Sequence, residues 1–158
     1  MSTKCIVKKI PSNTIKNMKK YEKIIMSKHR TLIFKNKDTH NRSLKPIGLW
    51  FGLGTSWIDW IRSEMPHWEK TNLYKVKTNP KYMLTINDQD KFDKLEKNYG
   101  HKNGIGIDWG KVSENYSGIT INPYNHTERM SSLWYYGWDV ASGCIWDKKA
   151  IKSIEKIL

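Results

Sequence analysis

Fourteen residues near the C-terminus, Trp134 to Asp147, restrict the possible folds more than any other stretch. They combine five large aromatics with two glycines, two carboxylates, a serine and a cysteine. A plain core strand has no use for that mixture, whereas the wall of an aromatic pocket with a few polar groups does. Gly143–Trp146 reads as a strand, with Cys144 as buried, unreactive filler. Trp138, Asp139 and Ser142 are the residues a pocket would use. A second stretch, Gly48 to Trp60, repeats the mixture with Gly48, Gly52, Gly54, Trp50, Trp57 and Ser56. Core packing accounts for most of the tryptophans, because an indole is large and costly to expose. It accounts less well for the glycines, Ser56, Asp139 and Ser142 set among them. Aromatic faces, backbone access and a carboxylate are what a nucleotide or nicotinamide pocket requires. The ring stacks, backbone groups read its amide edge, and the carboxylate holds a ribose hydroxyl.

Around these stretches the elements are short. Ile15, Met18, Tyr21 and Ile25 recur at three- and four-residue steps. That spacing predicts a helix from about Asn13 to Met26, capped by Ser12 or Asn13. Thr31–Lys35 reads as a short strand, and 45–54 as a strand running into a glycine-rich turn. A helix starts at Ser56, with Asp59 as a capping-box-like partner, and ends at Pro66. Leu73–Lys77 and Tyr82–Ile86 read as strands around an Asn79-Pro80 turn. Asp88 opens a helix carrying Phe92 and Leu95, and a short helix follows Trp109. Residues 117–122 alternate as a strand, 123–133 form a polar loop, and Asp147 caps a last helical turn with Ala150 and Ile154. Five to seven strands without regular helical crossovers argue against a doubly wound parallel sheet. They fit an α+β fold with a twisted, mostly antiparallel sheet. The expected organisation is a flexible basic N-terminus over residues 1–11 and a single domain over 12–158.

The net charge of +13 is unevenly spread. Residues 1–47 hold thirteen Lys and Arg against two Asp and Glu, and the remainder holds fifteen against thirteen. A polyanion such as RNA or DNA is the partner this segment attracts, with Lys19, Lys20, Lys28 and Arg30 as candidate contacts. Only four basic residues are Arg. Lys lacks the guanidinium fork, so any such binding is expected to be non-specific. An AT-rich coding sequence would produce the same bias with no such role. Cys5 and Cys144 form neither a disulfide framework nor a metal-ligand spacing, and the five histidines have no metal spacing either. No apolar run approaches the ~20 residues of a membrane span, and no apolar segment follows the N-terminal lysines. The expectation is a soluble intracellular protein, cytoplasmic or nuclear, with no metal and no membrane partner.

Three pieces of sequence carry a resemblance. They are Gly48-Leu49-Trp50-Phe51-Gly52 with the helix from Ser56, then Tyr116-Ser117-Gly118-Ile119-Thr120-Ile121, then Ser142-Gly143-Cys144-Ile145-Trp146-Asp147 running on to Ile154. Over about residues 45–155 their order resembles the ADP-ribosyltransferase superfamily. The first is similar to the strand and helix that enclose the nicotinamide ribose, and the second to the "YDGI" strand. The third is similar to the closing "EYVVFDPxQIKSI" segment. The resemblance implies a split β-sandwich fold and NAD as substrate. It implies cleavage at the nicotinamide–ribose bond and transfer of ADP-ribose to an acceptor, nucleic acid among the candidates. Gly48, Leu49, Trp50, Ser56, Trp57, Tyr116 and Trp138 would hold NAD. Ser142 stands where the family places its catalytic glutamate, and Asp139 is the nearest carboxylate. These two are the candidate catalytic residues. His29, Arg30, His40 and Arg42 are candidates for the family's first-strand basic residue. Two alternatives stand beside the enzyme. One is a non-enzymatic nucleic-acid-binding protein that uses the basic N-terminal third and the aromatic pocket. The other is an interaction module whose tryptophans are core.

Overall fold

The computed structural model describes residues 9–39, 44–102 and 104–158. His40, Arg42, Cys5 and most of the expected flexible N-terminus lie outside the described residues. Seven strands build one curled sheet: β1 (Lys23–Ser27), β2 (Leu49–Leu53), β3 (Asn72–Thr78), β4 (Met83–Ile86), β5 (Gly118–Ile121), β6 (Ser142–Ile145) and β7 (Ile151–Lys156). Their order is β4-β5-β6-β2-β1-β3-β7. Every neighbouring pair is antiparallel except β4 with β5. Among the described residues five α-helices accompany the sheet: α1 (Ser12–Lys16), α2 (Ser56–Glu64), α3 (Gln89–Tyr99), α4 (Trp109–Asn115) and α5 (His126–Ser131). The chain therefore has the α+β fold with a twisted, mostly antiparallel sheet, and its strands are hydrogen-bonded into one sheet without a break.

Side chains opposite one another across the strands share a face. One row runs Ile24, Gly52, Ser142, Ile121, Ile86, and the next runs Trp50, Cys144, Ile119, Leu84. This first face carries two separate cores. Under β4, β5 and β6 lies an aromatic one, in which α3, α4 and residues 134–138 bring Phe92, Trp109, Val112, Trp134, Tyr135 and Trp138 against the sheet. Its rings meet in edge and stacked pairs, with Phe92 to Trp134 at 5.2 Å and Trp109 to Trp134 at 5.8 Å. Under β1 and β3 lies an aliphatic core of Ile10, Ile24, Ile58 and Leu73, closed by α1 and α2. The opposite face buries Ile25, Phe51, Tyr74, Val76 and Ile145 under residues 28–39, which form neither helix nor strand and whose Leu32 and Phe34 turn inward.

Two expected helices are something else. Residues 13–26 contain only the five-residue α1, and Lys23–Ser27 form β1. Ile24 and Ile25 are β-branched and favour the pleated sheet. Pairing on both sides, with β2 and β3, outweighs the helical spacing. The C-terminal helical turn is a 3-10 turn at Lys148–Ala150, capped by the Asp147 side chain as expected, and it leads into β7. Thr31–Lys35 is extended but belongs to no sheet. The polar loop at 123–133 contains α5, whose cap Asn125 accepts from the Glu128 N–H. The strands either side of Asn79-Pro80 form no hairpin, since β3 and β4 lie far apart in the sheet order.

Candidate functional site

The gap between the two cores of the first face is a cavity. Its floor is β2, where Gly52 has no side chain to fill it. α2 closes one side and residues 137–142 the other. The cavity measures about 330 Å³, and its walls include Trp50, Trp57, Trp138, Asp139 and Ser142, with Ile24 and Met26 from β1. Gly52 is required by this packing. A Cβ there would stand 2.7 Å from Trp57 Cβ and 3.2 Å from Ser56 Oγ. The bare backbone lets α2 sit directly on the strand, which brings the Trp57 indole to the rim.

The aromatic wall is well supported. Trp138 meets Trp50 edge to face at 4.9 Å and stacks with Trp109 at 6.3 Å. The Tyr124 hydroxyl donates to the Trp138 carbonyl. Burial holds the Tyr124 hydroxyl above its usual pKa. Trp138 is 1% exposed, and its indole N–H has no hydrogen-bond partner among the described residues. Trp57 stacks almost parallel on Trp60 at 5.1 Å. The Lys45 ammonium lies 5.3 Å from the centre of the Trp50 ring, and Gly137 leaves room for its side chain.

Asp139 presents its carboxylate at the opposite wall. Its Oδ1 is 3.4 Å from Arg129 Nη2, a long contact between half-buried groups. The guanidinium also lies 5.4 Å from the Tyr136 ring. Residues 139–142 are held by three hydrogen bonds. Ser142 Oγ donates to the Val140 carbonyl at 2.9 Å, and Ser56 Oγ and the Leu53 N–H donate to the Ala141 carbonyl at 2.9 and 3.1 Å.

Trp50, Trp57, Trp138, Asp139 and Ser142 come together, whereas four other expected contacts do not line the cavity. Ser56 buttresses the 139–142 turn from behind. Gly48 passes under β6, where a Cβ would run into the Ile145 carbonyl oxygen. Leu49 faces the opposite core. Tyr116 lies beyond β5, where its carbonyl accepts from the Trp146 indole at 2.9 Å. Compared with protein-family models, curated proteins and solved structures, the chain matches none. Lys45, Met26 and Arg129 were missed. Lys45 sits in a loop and Arg129 in a polar stretch, and only the fold brings them to this wall.

Among the described residues no group of three or more His, Cys, Asp or Glu could hold a metal ion. Among them, too, no helix is long and apolar enough to cross a membrane. Cys144 is buried, and burial pushes its thiol far above the usual range. The basic candidates separate. Lys19 and Lys20 precede β1, where the Lys19 carbonyl would meet a Cβ on Gly54. Lys28 and Arg30 follow β1 at its other end, and His29 is exposed there too.

Proposed function

We propose that the cavity over β2 binds the nicotinamide–ribose part of NAD and that the chain is an ADP-ribosyltransferase-like enzyme. One observation carries the reading. Two segments about 80 residues apart in sequence bring Trp50, Trp57, Trp138, Asp139 and Ser142 onto one cavity. Its volume, about 330 Å³, falls in the ~300–1,000 Å³ range of small-molecule sites. A flat heteroaromatic ring fits between indoles.

Heterolysis of the nicotinamide–ribose bond sends its electron pair to the departing nicotinamide and leaves positive charge on the sugar, as in glycoside cleavage. Asp139 is the carboxylate at the cavity wall. It would hold a ribose hydroxyl and stabilise the developing charge. Arg129 fixes its orientation. The acceptor attacks the sugar carbon and releases a proton. Ser142 Oγ donates to the Val140 carbonyl and so holds the 139–142 turn. Its part is positional.

Incubation with NAD and chromatographic detection of free nicotinamide tests the proposal. Release is expected, together with quenching of tryptophan fluorescence. Asp139→Ala should retain the quenching and lose release by about 10²-fold or more, the scale for one electrostatic group in a reacting site. Neither quenching nor release with the wild-type chain would discard the reading.

A further inference from the structure

The extended segment 28–39 has an outward pattern of its own. Leu32 and Phe34 face the core, while Thr31, Ile33, Lys35 and Lys37 are exposed. Two tethers lay it beside the C-terminal segment. Lys156 Nζ donates to the Arg30 carbonyl at 2.8 Å, and the Lys148 backbone N–H donates to Asn36 Oδ1 at 2.9 Å. Arg30 thus meets Lys156 and Asn36 meets Lys148, so the two segments run side by side in opposite directions. From Arg30 to Asn36 the segment spans at most about 20 Å at ~3.3 Å per residue.

This ridge concentrates charge. One segment supplies Lys28, Arg30, Lys35 and Lys37, and the other supplies Lys148, Lys149, Lys152 and Lys156, all exposed. The carboxylates of the same two segments are Asp38, Asp147 and Glu155. Asp147 is engaged by the Lys149 N–H and Glu155 by Lys75. On α3, by contrast, the signs alternate from Asp90 to Lys97. Lys94 of α3, for example, pairs with Asp90. The ridge contains no helix longer than the three-residue 3-10 turn at Lys148–Ala150, so it presents none that could enter a major groove.

We propose that this ridge docks single-stranded nucleic acid through its phosphates. Lysine ammoniums are point charges, so the contact positions a backbone and reads no sequence. Ile33, 76% exposed in the middle of the ridge, gives an unstacked base an apolar seat. The length suits the small end of the ~4–16 nucleotide site sizes known for such surfaces. An anionic membrane is the other polyanion of this kind. The ridge has one exposed large apolar residue and no amphipathic helix, so it has little to insert between headgroups. The surface draws on both ends of the chain. Lys28 and Arg30 belong to it, and Lys19 and Lys20 do not. Nothing in this inference depends on what the cavity binds.

The test is titration of a fluorescent oligothymidylate with the full chain at increasing NaCl. Log affinity should fall with log salt at a slope of about −3, as roughly four neutralised phosphates require. Lys35→Gln/Lys37→Gln/Lys148→Gln/Lys149→Gln spares both tethers. It should weaken binding by about 10-fold or more and flatten the slope. Lys91→Gln/Lys94→Gln/Lys97→Gln/Lys111→Gln removes the same charge from α3 and α4 and should change affinity by less than about 3-fold. Circular dichroism and the single variants Lys35→Glu and Lys149→Glu separate lost contact from lost fold. Equal losses in the two quadruple variants overturn the proposal. So does capture by phosphatidylserine vesicles without binding of the oligonucleotide.

Discussion

At the scale of residues, the structure turns on a few close contacts. Gly52→Ala places a methyl group where Trp57 Cβ already stands, so α2 must lift. The expected cost is about 1–3 kcal/mol by urea unfolding, with loss of any ligand-induced fluorescence change. Cys144 should resist iodoacetamide in the native protein of a Cys5→Ser background and react only on opening, because burial keeps it a thiol. Labelling at the rate of a free surface thiol would contradict its place in the core. Glu69 predicts an acid limb. Its carboxyl is held below its usual range first by the Arg62 guanidinium at 2.6 Å and also by the Ile10 N–H, against the opposing effect of desolvation. A depressed folded pKa stabilises the protein above the ordinary carboxylate range, and that stability is lost as pH falls through the folded value. Glu69→Gln should flatten the loss between neutral pH and about pH 3. The effect should be about 1 kcal/mol or less, because Arg62 is partly exposed to solvent.

At the scale of elements, legibility in the sequence followed local independence. α2 and α3 carry their own periodicity and were legible; α3 is also capped by Asp88 as expected, whereas Ser56 donates to the Ala141 carbonyl and makes no capping box with Asp59. So were β3 to β6, as short apolar runs between turns. Lys23–Ser27 was not, because Ile24 and Ile25 fit a helical stripe as well as a strand. What decides is contact with β2 and β3, made from residues 49–53 and 72–78. The cavity was half legible for the same reason. Trp and Gly mark both walls, but Lys45 reaches the cavity from a loop, and Arg129 reaches Asp139 from α5, with no spacing that links either to it. The strand order makes a prediction of its own at β4, which ends the sheet. The Tyr82 and Ile86 carbonyls accept from Ser117 and Asn122 on the β5 side. Leu84, two residues from each, must share that orientation, and Met83 and Thr85 face the open edge. Thr85→Pro therefore deletes no ladder hydrogen bond and should cost less than about 1 kcal/mol. Leu84→Pro deletes one and should cost about 3 kcal/mol or more. Equal costs in thermal unfolding would contradict the parallel register.

At the scale of the whole molecule, the balance of +13 is a standing repulsion that folding compresses. Salt screens it, so raising NaCl from 10 to about 150 mM shortens the Debye length from ~30 to ~8 Å and should raise Tm by about 2–4 °C. A fall in Tm would mean that the ion pairs of Arg62, Lys75 and Arg129 outweigh the repulsion. The position of β6 has a further consequence, for synthesis. It joins β2 to β5, and with them the two halves of the sheet. Translation completes β5 at residue 121 and delivers β6 from residue 142, an interval on the order of 1–4 s at ribosomal rates. Until β6 emerges, the nascent chain consists of two fragments, β2-β1-β3 and β4-β5, each with an open flank toward the missing strand. During that interval a chaperone would find its binding sites on those flanks, and release of residues 142–145 is the event that joins the two fragments into one sheet.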